Sequence, residues 1–486
     1  MGPIDIAKEN AKANSASARQ KADPNPAIHA YQRHGRTTAI DDHSDLQVLK
    51  RIKRYLLPKD FVISQELLQE MVAGYDIGDP LADALAADGI RFTKPLQQFI
   101  LSDSNGGDSN SSDRNGSSFD ATLLSNPAFN TLTEQFSSHP AWFDPKLAQI
   151  GAVAYRRYPL MLIWLLRNVA LMAGYSIPAL SLPLIQTGAL MHDALPRLMR
   201  TYAYILAVSE HPQLNSSSYN NRQPIKQVLA IGSEGWRQSI KVRQIHTTVR
   251  QNLLRGKGNA AKGVIPDADQ HHNVDGSWNT DYWGIPINQT DMIATHLQFS
   301  LLIMRGLRLL GARISGEEAE GILHLWNLAS YWMGVDLQRL PKDEAACWEW
   351  LYTYLSVQQL DFKMGQPLAK ALHDLPRQLM GEDNRRGRFV EMVNASVTRT
   401  LVGDDIGDGL DLPKSKIRFG VLSSVPILFA LDTARQHNQS VAEKLEAFRA
   451  KRQDNIVKEL INRHTAIRNK RTVCQRNLAA TLYVFV

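Results

Sequence analysis

Residues 158–185 read YPLMLIWLLRNVALMAGYSIPALSLPLI, an apolar run long enough to span a bilayer, with Arg167 in its middle. Such a run must be solvated by lipid or by protein, and the two solvents tolerate different things. A guanidinium at bilayer depth is costly. Pro178 and Pro183 interrupt the second half, and Arg156 and Arg157 stand just before the apolar part. The stretch is therefore expected to be core helix around a pocket. A core this apolar needs a large protein around it, and 486 residues with 44% hydrophobic and 21% charged side chains supply one.

The rest of the chain supports a helical environment for that core. Helical spacing recurs in residues 45–57, 64–75, 187–208, 235–254, 317–335, 345–359, 367–379 and 388–401. A turn at Gly78–Pro80 opens LADALAADGI, and Asn288 or Thr290 can cap a helix carrying Ile293, Leu297, Leu301 and Leu309. Period-two alternation is confined to a short candidate strand at 481–486. The expected fold is all-α, a single large helical domain over residues 43–440. A polar N-terminal arm (1–42) precedes it and a basic helical tail (441–486) follows. The low-complexity run at 102–118, SDSNGGDSNSSDRNGSS, is expected to be a disordered surface loop. VGDDIGDGLDLP, at 402–413, reads as a turn, because the regular ligand ladder of a calcium loop is missing.

Charge is unevenly distributed. The net +7 is concentrated in residues 441–476, where ten Lys or Arg face four Asp or Glu, so this segment reads first as a solvated helix face and otherwise as a peripheral contact for anionic membrane. No nucleic-acid partner is predicted. Two cysteines, Cys347 and Cys474, cannot build a disulfide framework or a four-cysteine metal site. The N-terminal residues show no export signal, and a cytoplasmic location is the expectation.

The candidate site lies in residues 235–254, GWRQSIKVRQIHTTVRQNLL. Val242, Ile245, Val249 and Leu253 make an apolar stripe at helical spacing, and His246 borders it between Arg243 and Arg250. An imidazole between two guanidiniums against an apolar wall suits an iron-porphyrin, with iron on the ring nitrogen and arginine forks on propionates. A histidine packed beside a core satisfies the same pattern. A second polar face comprises Arg197, Arg200 and Thr201, next to a stripe of Leu195, Met199, Tyr202 and Leu206. Two guanidiniums beside a core need a polar counterpart, either a salt bridge or a ligand. A phosphate-binding glycine loop, a Gly-x-Ser-x-Gly elbow and a His-Glu-x-x-His motif are all absent from the sequence.

Seven segments in order resemble the oxygenase family of latex-clearing proteins (rubber oxygenases) and fungal MpaB-type enzymes. They are GDPLADAL (78–85), PAWFD (140–144), TG with RLMRT (187–188 and 197–201), VRQIHTTVR (242–250), GIPINQTDMIAT (284–295), LHLWNLASYWMGV (323–335) and GDDIGDGLDLP (403–413). The resemblance implies a globin-like helical core binding one haem b. His246 falls on the iron ligand, and Arg243 and Arg250 flank the cofactor. Arg197, Arg200 and Thr201 fall on the opposite, dioxygen side. It further implies dioxygen as co-substrate and an apolar, isoprenoid-like or unsaturated lipid substrate.

Two departures from the family pattern stand out. Latex-clearing proteins carry a lysine, able to ligate iron, where this chain has Arg200, which stays protonated and cannot. Rubber oxygenases also place a carboxylate ahead of the TG, whereas here no Asp or Glu occurs between Arg167 and Asp193. The expected activity is a haem-dependent oxygenase. A haem-binding sensor or carrier of the same fold is the alternative, and a cofactor-free helical protein with a packed His246 the third reading.

Overall fold

A computed structural model describes residues 34–104, 121–187, 194–212, 227–257 and 277–445, except 382 and 424. Residues 105–118 of the expected loop, the final apolar residues and nearly all of the arm and the basic tail therefore lie outside the described residues, while 102–104 end a helix, Thr93–Ser104.

The described residues are helical, with only isolated bridges such as Thr37 to Gln358 in place of a sheet. Twelve helices position the site: α1 (Gln65–Tyr75), α2 (Pro80–Ala87), α3 (Pro145–Arg156), α4 (Pro159–Tyr175), α5 (Pro178–Thr187), α6 (Ala194–Val208), α7 (Glu234–Leu254), α8 (Gln289–Leu297), α9 (Gly316–Trp332), α10 (Glu344–Val357), α11 (Phe362–His373) and α12 (Arg385–Leu401). Their starts are written in the sequence. Ser64, Asp79, Asn288 and Ser315 each accept a backbone N–H in the first turn of the helix they cap, and Ser315 with Glu318 completes a capping box.

The apolar run at 158–185 is interior. Leu162, Leu165, Leu166, Arg167 and Leu182 are all 0% exposed. Arg167 sits in a π-helical turn, Leu166–Leu171, where its guanidinium donates to Asn168 Oδ1 and to the carbonyl of Leu372 on α11. Burial lowers its pKa to about 9. No single described helix is long and apolar enough to cross a membrane, although α3 and α4, bent by 83° at their junction, meet that test as a pair.

One hydrophobic cluster runs from Ile52 to Leu412. Within it α3 and α9 cross at glycines. A Cβ on Gly151 would stand 2.0 Å from the carbonyl carbon of Gly321, so the backbones touch with no side chain between them.

Two expectations need correction. Residues 34–38, assigned to the flexible arm, are tied to the core. Arg36 is 1% exposed and pairs with Asp291 at 2.6 and 2.8 Å, while Tyr354 donates to the same carboxylate. The 402–413 turn contains a short helix, Asp404–Gly409, whose Asp404 and Asp408 pair with Arg399.

Candidate functional site

Helix α7 carries His246, but the face it buries is not the one its apolar spacing predicted. Of the predicted stripe only Leu253 is buried, at 3% exposed; Ile245 is 48% exposed, and Val242 and Val249 are only half-buried. Trp236, Ile240, Arg243, Thr247 and Arg250 point inward instead. Burying two guanidiniums is tolerable only with hydrogen-bonded counter-charges, and α2 provides both. Arg243 Nε and Nη2 donate to Asp79 at 2.6 and 2.9 Å, and its Nη1 donates to Gln135 at 3.0 Å. Arg250 Nη1 donates to Asp83 at 2.6 Å, while its Nε and Nη2 reach the carbonyls of Pro286 and Ile287.

Neighbouring segments close around these pairs. Gln289 Nε2 donates to the carbonyls of Gly78 and Gly334, and Gln289 Oε1 accepts from the Asp336 N–H. Gly334, with φ at 92°, lies against the Arg243–Asp79 pair, where a Cβ would come within 2.3 Å of Asp79 Oδ2. Segments 78–85, 242–250, 284–295 and 323–335, singled out separately in the sequence, thus meet in one polar clamp. The clamp fixes the position and rotation of α7. In both arginines all three guanidinium nitrogens donate to protein groups.

His246 itself is the opposite case. The residue is half-buried, Nδ1 is sealed from solvent, and that nitrogen has no hydrogen-bond partner among the described residues. Burial, with Arg250 adding to it, lowers the imidazole pKa to about 4, so the ring is neutral at neutral pH. A neutral imidazole is the form that ligates metal.

The second predicted face divides. Arg200 is exposed. Thr201 is half-buried, and its hydroxyl donates to the Arg197 carbonyl at 3.1 Å, one turn back on α6. The Arg197 guanidinium forms no hydrogen bond or ion pair with any described residue, yet its charge reaches His246. The sequence reading missed Tyr175, at the end of α4. It is 2% exposed, its hydroxyl has no hydrogen-bond partner among the described residues, and it interacts electrostatically with Arg197. Its type and spacing look like core. Asp79 and Asp83 carried a weak signal, as the cap and first turn of a helix after a glycine.

A family model described as "ER-bound oxygenase mpaB/B'/Rubber oxygenase, catalytic domain" matches residues 155–423, more than half of the chain. The chain belongs to this family. The MpaB/rubber oxygenase match contains Tyr175, Arg197 and His246, whereas Asp79 and Asp83 precede it. A rubber oxygenase from Streptomyces sp. (strain K30) is 24% identical over 202 residues, which cover 40% of this chain and 42% of that relative's length. A solved structure of latex clearing protein in its closed state covers 78% of this chain and 84% of its own, at 18% identity and a TM-score of 0.47.

The residues can be tested against the haem that MpaB/rubber oxygenase membership implies. Among the described residues no group of three or more His, Cys, Asp or Glu side chains is placed to hold a bare metal ion. Haem iron demands less, because the porphyrin supplies its equatorial ligands and a single axial imidazole suffices. The neutral, unpartnered imidazole of His246 fits that demand.

Proposed function

We propose that this chain is a haem b-dependent oxygenase acting with dioxygen on an apolar, unsaturated, isoprenoid-like or lipid-like substrate, with His246 as the residue that would hold the haem iron. The observation that carries this reading is the His246 imidazole, held neutral and unpartnered on a helix that two buried ion pairs immobilise, in a chain of the MpaB/rubber oxygenase family. When bound, haem would supply the activation of dioxygen.

The remaining work falls to the chain's own residues. Arg243 and Arg250 act as positioning residues that hold α7 through Asp79 and Asp83, so the imidazole arrives in one orientation. Helix α5 packs against α7, and its buried Leu182 and Ile185 exclude water from that side. Arg197 presents a guanidinium with no hydrogen bond to any described residue, and it would serve as a donor to a negatively charged oxygen of a bound reactant. Thr201 stands beside it, with its proton directed to the backbone.

The decisive experiment is an optical spectrum of the purified protein and of His246→Ala, with oxygen uptake measured on squalene. The parent is expected to show a Soret band that His246→Ala loses, and substrate-dependent uptake. A Soret band retained unchanged in His246→Ala would overturn the ligand assignment. A Soret band without uptake on any unsaturated isoprenoid or lipid would favour the sensor or carrier reading.

A further inference from the structure

Beyond the 402–413 turn lie two further helices, α13 (Arg418–Ser423) and α14 (Val425–His437). Helix α14 is built the wrong way round for a water-facing surface. Its charged residues, Asp432 and Arg435, both turn towards the protein. Asp432 is 0% exposed and accepts from the backbone N–H of Arg313 at 2.6 Å and from Arg435 Nε at 2.8 Å. Thr433 accepts from Arg313 Nη1 at 3.2 Å. The backbones approach as well, since a Cβ on Gly311 would come within 2.6 Å of the Val425 carbonyl oxygen.

The opposite face of α14 meets solvent, and it is apolar. Pro426, Ile427, Ala430, Leu431 and Ala434 fall on it at helical spacing and all are exposed, Ile427 by 64%. Exposed Phe429 flanks them, with the Arg313 guanidinium 5.3 Å from its ring centre. Helix α13, packed on α14, adds exposed Leu422. A helix on a soluble surface carries its charges outward and its apolar stripe inward. A continuous apolar face in the reverse arrangement marks an interaction site.

The charge beside this face selects its occupant. On leaving α14 the chain enters residues 441–476, where ten Lys or Arg face four Asp or Glu. Lys416, exposed just before α13, has the same sign. A second copy docked on the face would bring two such cationic segments together, and like charges repel. An apolar protein partner would leave that charge unanswered. An anionic lipid surface answers both features. Apolar side chains enter the boundary between headgroups and acyl chains, while Lys and Arg lie among the anionic headgroups.

We propose that the outward face of α14, with Leu422 of α13, is a peripheral attachment site for a bilayer containing anionic lipid. Ile427 and Leu431 insert, and the cationic segment that follows holds the headgroups. The inference does not depend on the haem assignment.

The test is co-sedimentation of the full chain with phosphatidylcholine vesicles and with vesicles in which about one-third of the lipid is phosphatidylserine. The parent is compared with Ile427→Ser/Leu431→Ser and with Lys451→Gln/Arg452→Gln/Lys458→Gln. The parent should bind the anionic vesicles at least about tenfold tighter than the neutral ones, and less tightly as salt rises. Either variant should lose about tenfold or more of that affinity, the first through apolar area and the second through charge. Because Ile427 and Leu431 are exposed, the serine variant should keep the parent's melting temperature, which separates lost binding from lost folding. Unchanged binding to anionic vesicles in either variant would overturn the proposal. A parent that is dimeric by light scattering, with a monomeric serine variant, would overturn it in favour of a second copy. A lower melting temperature of the serine variant without lipid would overturn it in favour of cover by another segment of the chain.

Discussion

Replacing Asp79 by Asn tests the clamp under α7 most directly. Asp79 and Arg243 are 2% and 3% exposed and share two hydrogen bonds of 2.6 and 2.9 Å. The substitution keeps the size of the side chain and removes its charge, leaving the guanidinium buried without a counter-ion. Breaking a buried pair from one side costs about 3–5 kcal/mol. At ~2.1 cal/mol/K per residue, a 486-residue chain unfolds with an entropy of about 1 kcal/mol/K. The melting temperature should therefore fall by about 3–5 °C. The double variant Asp79→Leu with Arg243→Met removes both charges and should recover most of that loss, because an apolar replacement of a buried pair is close to neutral. Differential scanning fluorimetry reads both effects, and comparison of haem-stripped with haem-loaded protein separates the two roles open to Arg243. A clamp destabilises both forms alike. An Arg243 that instead serves the propionates would, once released from Asp79, bind haemin more tightly. A melt within about 1 °C of the parent, or tighter haemin binding, would refute the clamp.

Two further expectations follow from packing and from titration. Gly151→Val places a side chain where the backbones of α3 and α9 touch and should destabilise by about 3 kcal/mol through overpacking. Gly316→Ala, at a site with nothing within 4 Å of the added Cβ, should be neutral or slightly stabilising in the same thermal melts. In haem-free protein the His246 ring should titrate by NMR with a midpoint near 4. Because its folded pKa lies below the ordinary 6.5, the unfolded chain takes up a proton first as pH falls. The stability that His246 contributes is therefore complete above about 6.5 and lost towards 4. A midpoint near 6.5 would show that the ring is solvated and not sealed as described.

Much of the scaffold was legible because helix formation and burial of an apolar run are local matters. The cap at Asn288, offered in the sequence beside Thr290, and the interior position of residues 158–185 follow from residue chemistry within a turn or two. The helix around His246 was legible as well, and its bounds differ from the expectation by one residue. The face that helix buries was not. Periodicity counts apolar residues and so selected Val242, Ile245, Val249 and Leu253, of which only Leu253 is buried, whereas the buried face is built largely from Trp236, Ile240, Arg243, Thr247 and Arg250.

The sequence by itself determined an all-helical chain, a buried apolar centre, and a histidine between two arginines that matches the oxygenase family. Tertiary structure decided what each of those groups is free to do. The carboxylates that make buried guanidiniums tolerable stand 164 and 167 residues from Arg243 and Arg250, too distant for any spacing rule to pair them. Those pairings engage both arginines, while His246 Nδ1 and the Tyr175 hydroxyl reach the interior without a hydrogen-bond partner among the described residues. Desolvation makes an unpartnered group costly, and only the packed fold shows which groups are left in that state.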